Sequence, residues 1–399
     1  MSHNIEGTVE AVDTVFDDMV GMRRELHRRP ELGFDEVGAS AMIRRRLGEL
    51  GLTELPVATP TGAAFTLTGG HPGRPVVLRA DIDALPVGEQ VDLSYASEVE
   101  GMMHACGHDA HTAALLGVAQ VLQGRAEDLA GSYTFVFQPA EELLDGARRM
   151  VDGGVLDGLE GGVVLGHHVT SLVPTGFVAM RSGIAMAEVH VFTLVVRGPG
   201  GHGAISGQTG DVVRAICDAV GQLGGVVEGL EYERVSCVCS AGMVSAGTAP
   251  NILPDHAAIR GTLRTFTAEQ RADALDRLGV LCDRVAGEHG VTVQLEIEGN
   301  APAVTNDPSI TETVTNVART QLGDERVLEL PPVTPSDDMS IFLERLPGCY
   351  FFVGAGLADG TSGMHHSPKF AIDEEAMRLA ARVMVGAAMT LADVTVETA

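Results

Sequence analysis

The 399-residue chain lacks the features of a membrane or secreted protein. It contains no apolar run of the roughly 18 residues that a bilayer-spanning helix requires. Its first residues, MSHNIEGTVEAVDTVFDD, are polar and acidic, which is unlike a signal peptide or a basic transit peptide. Six cysteines in a chain of this length do not indicate a disulfide framework. We therefore expect a cytoplasmic protein that does not associate with membranes.

Basic residues are also scarce. The 27 lysines and arginines face 54 aspartates and glutamates, which gives a formal net charge of -27. A negative field of this size repels phosphate backbones, so nucleic-acid binding is excluded. The rest of the composition, 45% hydrophobic and 20% charged, is that of a globular protein. The length suits two domains.

Helical periodicity and short apolar strands alternate through the first 180 residues. Helices are predicted up to Pro30 and over 39–50, 110–122 and 141–154, and strands over 63–67, 75–78, 132–138 and 161–169. This alternation predicts an α/β domain whose largely parallel sheet is covered on both faces.

The pattern changes near residue 183. From there the predicted order is strand, helix, strand, strand, helix, strand, which is typical of a compact split-βαβ domain. After residue 300 the α/β pattern returns with a helix over 308–321, a strand over 348–356 and a helix over 373–392. We therefore predict an α/β domain built from residues 1–182 and 300–399, with a small α+β domain inserted over 183–299.

The densest chemical signal is the run MHACGHDAH, residues 103–111. Cys106 and His108 lie two positions apart, just before a predicted helix. A thiolate and an imidazole at this spacing can bind one metal ion. A redox role for the Cys106 thiol is an alternative, but no second cysteine lies nearby in the sequence.

Two carboxylates follow the apolar strand that stops at Pro139. Glu141 and Glu142 are consecutive, so beyond a strand end they can point in different directions. One can then bind a metal while the other serves as the base of a metal-assisted hydrolysis. The alternative is that both complement the dipole of the following helix.

Two histidine pairs also follow apolar strands. His167 and His168 end VVLGHHV, and His365 and His366 follow the strand and loop over 348–356. A single histidine is more often a core or surface residue than a ligand. Four separate strand ends that each carry metal-binding groups instead indicate a dinuclear site, because open α/β sheets build their sites at those ends.

A fifth strand end carries Asp81 and Asp83 in the run RADIDALP. These carboxylates could bind metal directly or cap a turn. We expect them to hold a ligating imidazole in its tautomer, because histidine and glutamate ligands are already plentiful.

Several motifs together resemble the amidohydrolase branch of the aminoacylase and carboxypeptidase G metallopeptidases. Its members include hippurate hydrolases, N-acyl-amino-acid amidohydrolases and indole-acetyl-amino-acid hydrolases. The similarity extends from about residue 20 to the last helix and is carried by RADIDALP, MMHACGHDAH, VFQPAEE, GHHV, GGHGA, APNILPDHAAIRGTLRTF and HHSPKFAIDEEAM. The family's fold is an α/β catalytic domain with an inserted lid domain that commonly mediates dimerisation, so a homodimer or larger homo-oligomer is expected.

The resemblance implies a ligand set for two divalent metal ions. Cys106 would bridge the two ions, His108 and His168 would complete the set of one, and Glu142 and His366 that of the other. The residues alone leave open which histidine of each pair is the ligand, and the family pattern selects the second. Manganese or zinc is expected, with nickel or cobalt as alternatives.

The resemblance also implies catalytic and substrate-binding residues. Glu141 would be the general base, and His202 in GGHGA would stabilise the developing oxyanion. Asn251 and Arg264 would contact the substrate's carboxylate. The sequence departs from the family where it has Ser206-Gly207 and Asp211-Val212 in place of Pro-His and Asp-Pro, so an altered pocket is expected near 205–212.

The predicted function is metal-dependent hydrolysis of the amide bond of N-acyl amino acids or small dipeptides. A dipeptidase or carboxypeptidase with the same site is an alternative, because only the shape of the pocket separates these activities. A non-catalytic metal- or ligand-binding protein is a second alternative. Glu141 argues against it, because such a protein does not need an extra carboxylate beside a ligating one.

Overall fold

The structure, a computed structural model, describes residues 5–205 and 210–393. Its helices are α1 (Ile5–Glu10), α2 (Val12–Arg28), α3 (Val37–Glu49), α4 (His108–Gln123), α5 (Gly146–Asp152), α6 (Val212–Val226), α7 (Ala268–His289), α8 (Pro308–Leu322), α9 (Met339–Leu343) and α10 (Glu375–Ala392). Every helix within the described residues is too short or too polar to cross a membrane.

The strands divide into long ones that build the sheets and short ones that join them. They are β1 (Thr53–Leu55), β2 (Ala63–Thr68), β3 (His71–Asp81), β4 (Ala130–Gln138), β5 (Val163–Pro174), β6 (Val178–Met180), β7 (Gly183–Met186), β8 (Glu188–Arg197), β9 (Gly201–His202), β10 (Glu231–Tyr232), β11 (Val235–Ser236), β12 (Val238–Ala246), β13 (Ile252–Leu253), β14 (His256–Thr265), β15 (Thr292–Ala301), β16 (Val304–Asn306), β17 (Val327–Glu329) and β18 (Gly348–Gly356).

The described chain divides into two compact units. Unit 1 contains residues 5–185, 305–330 and 338–393, and unit 2 contains residues 186–304 and 331–337. The return of 331–337 to unit 2 is not indicated by the sequence pattern.

Unit 1 contains a mixed sheet of eight strands among the described residues, in the order β1-β2-β4-β3-β5-β18-β6-β17. Its centre, β4-β3-β5-β18, is parallel, whereas β2 pairs antiparallel with both β1 and β4, and β6 pairs antiparallel with β18. Residues 133–138 of β4 and 76–81 of β3 are buried without alternation, so both faces of the central sheet are covered. The α/β class is thus as predicted, but the sheet is mixed rather than largely parallel at its edges.

Unit 2 has the strand and helix order β8-α6-β12-β14-α7-β15 among its longer elements. These four strands form an antiparallel sheet in the order β12-β14-β8-β15, on which α6 and α7 pack. Burial alternates along β8, from buried Phe192, Leu194 and Val196 to half-buried residues between them. One face of the sheet therefore packs on the helices.

The helix predicted over 141–154 is wrong at its beginning. Only α5, Gly146–Asp152, is helical. Ala140 and Leu144 have φ values of 52° and 56°, in the left-handed region, which a right-handed helix cannot include. Residues 139–145 instead form a tight loop, after which Gly146 packs against the Pro139 carbonyl. A Cβ on Gly146 would lie only 1.6 Å from that oxygen.

Candidate metal centre

Several candidate metal-binding and catalytic residues of unit 1 lie at or just beyond the carboxyl ends of the central strands. β3 ends at Asp81 and leads to Asp83, and β4 ends at Gln138 and leads to Glu141 and Glu142. His168 lies on β5 opposite Phe352 of β18. Because these strands are parallel, their carboxyl ends share one edge of the sheet, which is where α/β folds build sites.

Cys106 lies at the centre of this cluster, in the loop before α4. Its Sγ is 3.5 Å from His168 Nε2 and 3.8 Å from His365 Nδ1. Two groups of three residues could each hold a metal ion, because the donor atoms within each group lie within 4.8 Å of one another. One group is Cys106, His108 and His168, and the other is Cys106, Glu142 and His366. Cys106 belongs to both groups, so the residues present can hold two cations that share one thiolate.

An orphaned buried nitrogen shows that the residues fit a cation. His108 Nε2 is buried and makes no hydrogen bond among the described residues. It lies 3.8 Å from Asp81 Oδ2, 4.0 Å from Glu141 Oε2 and 3.9 Å from Glu142 Oε1. An unpaired buried nitrogen costs roughly 1–3 kcal/mol, and binding to a metal ion removes that cost. The sulfur, nitrogen and oxygen donors together suit transition metals such as zinc or manganese.

The protonation states of Cys106, Glu142 and His366 depend on one another. Hydrogen bonds to Cys106 and Glu142 raise the pKa of His366 to about 10. Burial, and then the Glu142 charge, raises the pKa of the Cys106 thiol. His366 Nε2 lies 3.3 Å from Glu142 Oε1. Since ligation requires a thiolate and a neutral imidazole, metal binding at this cluster displaces protons and depends on pH.

Asp83 connects three parts of the site. Its Oδ1 lies 3.3 Å from His108 Nδ1 and accepts from the Glu141 amide at 3.1 Å, and its Oδ2 accepts from the Glu142 amide at 3.0 Å. If His108 donates its Nδ1 proton to Asp83, its Nε2 is left free to bind a metal. Asp83 therefore contacts one imidazole and the backbone amides of two glutamates.

Asp81 acts on a histidine that the sequence prediction overlooked. His111 Nδ1 lies 2.6 Å from Asp81 Oδ1, and Arg79 donates to Asp81 Oδ2 at 2.8 Å. The Val169 amide donates to His111 Nε2 at 2.9 Å. His111 thus fixes the backbone beside His168. The available signal was the last histidine of CGHDAH, three positions after His108.

The two remaining histidines of the pairs have different surroundings. His167 is 2% exposed and packs against His111 and Phe351, with ring centroids 5.2 and 6.0 Å away. Burial, and then the charge of His168, lowers the pKa of His365 to about 2, although its Nδ1 lies close to Cys106. The donor groups described above contain the second histidine of each pair.

The other predicted residues lie in unit 2. His202 on β9 pairs with Ile252 on β13, and the Gly203 amide donates to the Asn251 carbonyl at 3.0 Å, so His202 and Asn251 are neighbours. Arg264 on β14 donates from Nη1 to Thr334 O at 3.2 Å and to Ser336 Oγ at 3.0 Å.

The altered segment is described only in part. Ser206 and Gly207 lie outside the described residues. Asp211 caps α6, since its Oδ1 accepts from the Val213 and Arg214 amides at 3.0 and 3.2 Å. At this position the aspartate followed by valine therefore has a structural role as a helix cap.

Residues 77–390 match the family model described as Peptidase family M20/M25/M40. The chain belongs to this family. Two curated relatives are similar to this chain along almost their whole length. The chain is 36% identical over 366 residues to N-acetylcysteine deacetylase of Bacillus subtilis, covering 91% of this chain and 94% of the relative. It is 35% identical over 386 residues to thermostable carboxypeptidase 1 of Saccharolobus solfataricus, covering 94% and 96%.

A solved M20 structure supports the same assignment. The Bacillus subtilis YXEP protein, described as a dinuclear metal binding peptidase from the M20 family, superposes with a TM-score of 0.80 at 32% identity. The match covers 96% of this chain and 100% of that one. The expected resemblance and α/β fold are thereby confirmed, and so is the hydrolysis of amide C–N bonds by this M20 chain.

Proposed function

We propose that this chain hydrolyses N-acyl amino acids to a carboxylic acid and a free amino acid, with Glu141 as the general base. The observation that carries the proposal is the different surroundings of two consecutive carboxylates. Both glutamates group with His108, from whose Nε2 Glu141 Oε2 and Glu142 Oε1 lie 4.0 and 3.9 Å away, but Glu142 also groups with Cys106 and His366, with His366 Nε2 3.3 Å from its Oε1. One glutamate can therefore bind metal while the other receives a proton.

Cys106, His108, His168, Glu142 and His366 would hold two divalent cations, with manganese or zinc as the proposed ions. Such cations, when bound, lower the pKa of water and polarise a substrate carbonyl. The thiolate, one carboxylate and three neutral imidazoles give a donor set with two negative charges, so this ligand set is positive once it holds two divalent cations. A local positive charge admits an anionic substrate into a protein of formal charge -27.

Each predicted side chain has its own role in the proposed reaction. Glu141 takes the proton of the attacking water and then gives it to the leaving amine. His202 donates a hydrogen bond to the oxygen that becomes negative as the carbonyl is attacked. Asn251 and Arg264 bind the carboxylate of the substrate, and Asp81 and Asp83 orient His111 and His108. We further propose that the protein is cytoplasmic and forms a homodimer or larger homo-oligomer through unit 2.

Peptidase activity is the second candidate function. Thermostable carboxypeptidase 1 is about as similar to this chain as N-acetylcysteine deacetylase is. Both activities cleave an amide next to an amino acid that carries a free carboxylate, so the same base and ligands serve either one. A dipeptide carries a charged amine that an N-acyl amino acid lacks, and the substrate pocket of a peptidase would have to accept it.

The test compares Glu141→Gln with Glu142→Gln, a matched pair in which the same substitution is made at adjacent positions. Wild type and variants are stripped of metal, reloaded with manganese or zinc, and assayed on N-acyl amino acids and dipeptides. We expect Glu141→Gln to keep its metal content and lose activity by about 10²- to 10⁴-fold. Glu142→Gln should bind less metal. The order of substrates in the panel decides between deacylase and peptidase.

Two results would contradict the proposal. Full activity of metal-loaded Glu141→Gln would remove Glu141 as the base. A wild type that binds two ions but hydrolyses no amide in the panel would favour a binding protein or a substrate of another class.

A further inference from the structure

Glu36 is a buried carboxylate to which no role has yet been assigned. It lies just before α3 and its side chain is 0% exposed. Glu36 Oε1 accepts from the Ala140 amide at 2.8 Å, and Oε2 accepts from Thr61 Oγ1 at 2.5 Å. A carboxylate is expensive to bury unless it is hydrogen-bonded, so a position that retains one requires an explanation.

The partner of Glu36 directly precedes the proposed base. Ala140 is buried and has a φ of 52°, in the left-handed region that side chains with a Cβ disfavour. Such a conformation persists only where its surroundings hold it. Because the direction of the chain into Glu141 is set by the torsions of Ala140, whatever holds Ala140 also aims Glu141.

Two carboxylates fix three consecutive backbone amides. Glu36 accepts from Ala140, and Asp83 accepts from Glu141 and Glu142. The planes of three successive peptide bonds are therefore fixed, although Glu36 and Asp83 are 47 residues apart in the sequence. Without Glu36 the first of these planes loses its partner, and the other two remain bound.

Packing leaves the segment around Glu36 little freedom to move. A Cβ on Gly33 would lie 3.0 Å from Leu143 Cδ1 and 3.1 Å from Ala140 Cα. A Cβ on Gly62 would lie 2.6 Å from Pro139 Cδ. Both glycines permit close approach to the loop 139–145, so the segments that carry Glu36 and Thr61 support this loop directly.

We infer that Glu36 is a positioning residue for the active site, which holds Ala140 in its left-handed conformation and thereby aims Glu141. This inference rests on the proposed role of Glu141 as the base. Glu36 itself is placed by its contacts away from the reacting atoms, and it acts through the backbone of Ala140. Burial raises the pKa of the Glu36 carboxyl, and the hydrogen bonds from Thr61 and Ala140 offset part of that rise.

The first test is hydrogen exchange in the metal-free protein, which does not depend on activity. In the wild type we expect slow exchange of the Ala140 amide, and in Glu36→Ala faster exchange there but unchanged exchange in β4. Fast exchange of the Ala140 amide in the folded wild type would overturn the inference, whether or not the variant folds.

The second test is kinetic and uses metal-loaded protein. Glu36→Ala should lower kcat about 10- to 100-fold and leave KM nearly unchanged, because a misaimed base affects the reaction more than binding. Glu36→Gln should recover most of kcat, since its carbonyl can still accept from Ala140 and its amide can donate to Thr61. The control is Thr59→Val, which removes a buried hydroxyl that donates to the Thr61 carbonyl. It should have little effect on kcat.

The third test is a rescue. In Glu36→Ala/Ala140→Gly, glycine adopts the left-handed conformation without the Cβ penalty, so kcat should recover in part. A double variant no faster than Glu36→Ala, or an equal loss of kcat in Thr59→Val and Glu36→Ala, would overturn the positioning role. Retained activity in Glu141→Gln would refute the proposed base instead, and the hydrogen-exchange result would still report on Glu36 and Ala140.

Discussion

The His111 imidazole lies 2.6 Å from the Asp81 carboxylate, and both side chains are 0% exposed. Since the Val169 amide donates to Nε2 of the same ring, Nδ1 carries the proton that Asp81 accepts. His111 therefore joins the end of β3 to the part of β5 next to His168. Its role in the site is to fix the backbone that carries a proposed ligand.

We predict that His111→Gln weakens metal binding. The glutamine cannot make both contacts at the same distances, so the β5 backbone beside His168 loses a partner. Loss of such a supporting contact typically costs 10- to 100-fold in metal affinity. Competition with a chromophoric chelator measures the effect. Thr112→Val is the control, because it removes a hydroxyl bond to the Asp81 carbonyl and leaves the imidazole in place. An equal loss of affinity in both variants would contradict the prediction.

A second prediction concerns Asp83→Asn. Asparagine has one oxygen in place of two, so it cannot accept from the Glu141 and Glu142 amides and from His108 together. We expect kcat to fall about 10- to 100-fold, with weaker metal binding. Steady-state kinetics at saturating metal and metal titration separate the two effects. Asp92→Asn, an exposed change of the same kind, should match the wild type.

A third prediction concerns pH and stability. Burial lowers the pKa of His27, but Asp109 and Glu89, 2.8 and 3.2 Å from its nitrogens, outweigh burial and raise it to about 9 from 6.5. A raised pKa in the folded state stabilises the protein below the unfolded value of 6.5. That stabilisation is lost as the pH rises through 9.

The shift from 6.5 to about 9 corresponds to roughly 3 kcal/mol of unfolding free energy. Urea denaturation at pH 6 and pH 10 should therefore show a larger drop in stability for the wild type than for His27→Gln. The exposed His256→Gln serves as the control and should follow the wild type. An equal drop in unfolding free energy between pH 6 and pH 10 in the wild type and His27→Gln would show that the Asp109 contact does not stabilise the charged imidazole.

The fourth prediction tests the carboxylate contact of Arg264. Arg264→Ala should raise KM far more for carboxylated substrates than for their amides. Arg260→Ala removes the same charge four positions away on β14 and should change neither KM. Steady-state kinetics on matched acid and amide substrates give the comparison. An equal rise in KM for both substrates would show that Arg264 supports the fold rather than binds the carboxylate, through its contacts with Thr334 and Ser336.

Much of the fold was predictable because its signals are local. The apolar periodicity before Pro30 predicts α2, and the run of buried residues in VVLGHHV predicts β5. The motifs at successive strand ends predicted a family and an amide hydrolase, both of which are confirmed. The structure brings Cys106, Glu142 and His366 within ligand distance, and their roles remain predictions.

The failures occur where distant contacts override local preference. EELLDGARRM has the composition of a helix, yet its first residues form a loop because Asp83 and Glu36 bind the amides that precede α5. Antiparallel pairing of β2 with β4 was equally hidden, since strand order depends on which edge of the sheet the chain reaches.

The sequence by itself determined the periodic helices, the apolar strands and the type of side chain at each strand end, because these depend on neighbours a few residues apart. Only the tertiary structure decided that Glu36 binds Ala140 and that His111 binds Asp81. These two contacts join residues that are 104 and 30 positions apart in the sequence. A buried carboxylate meets such a distant partner only when the chain packs around it.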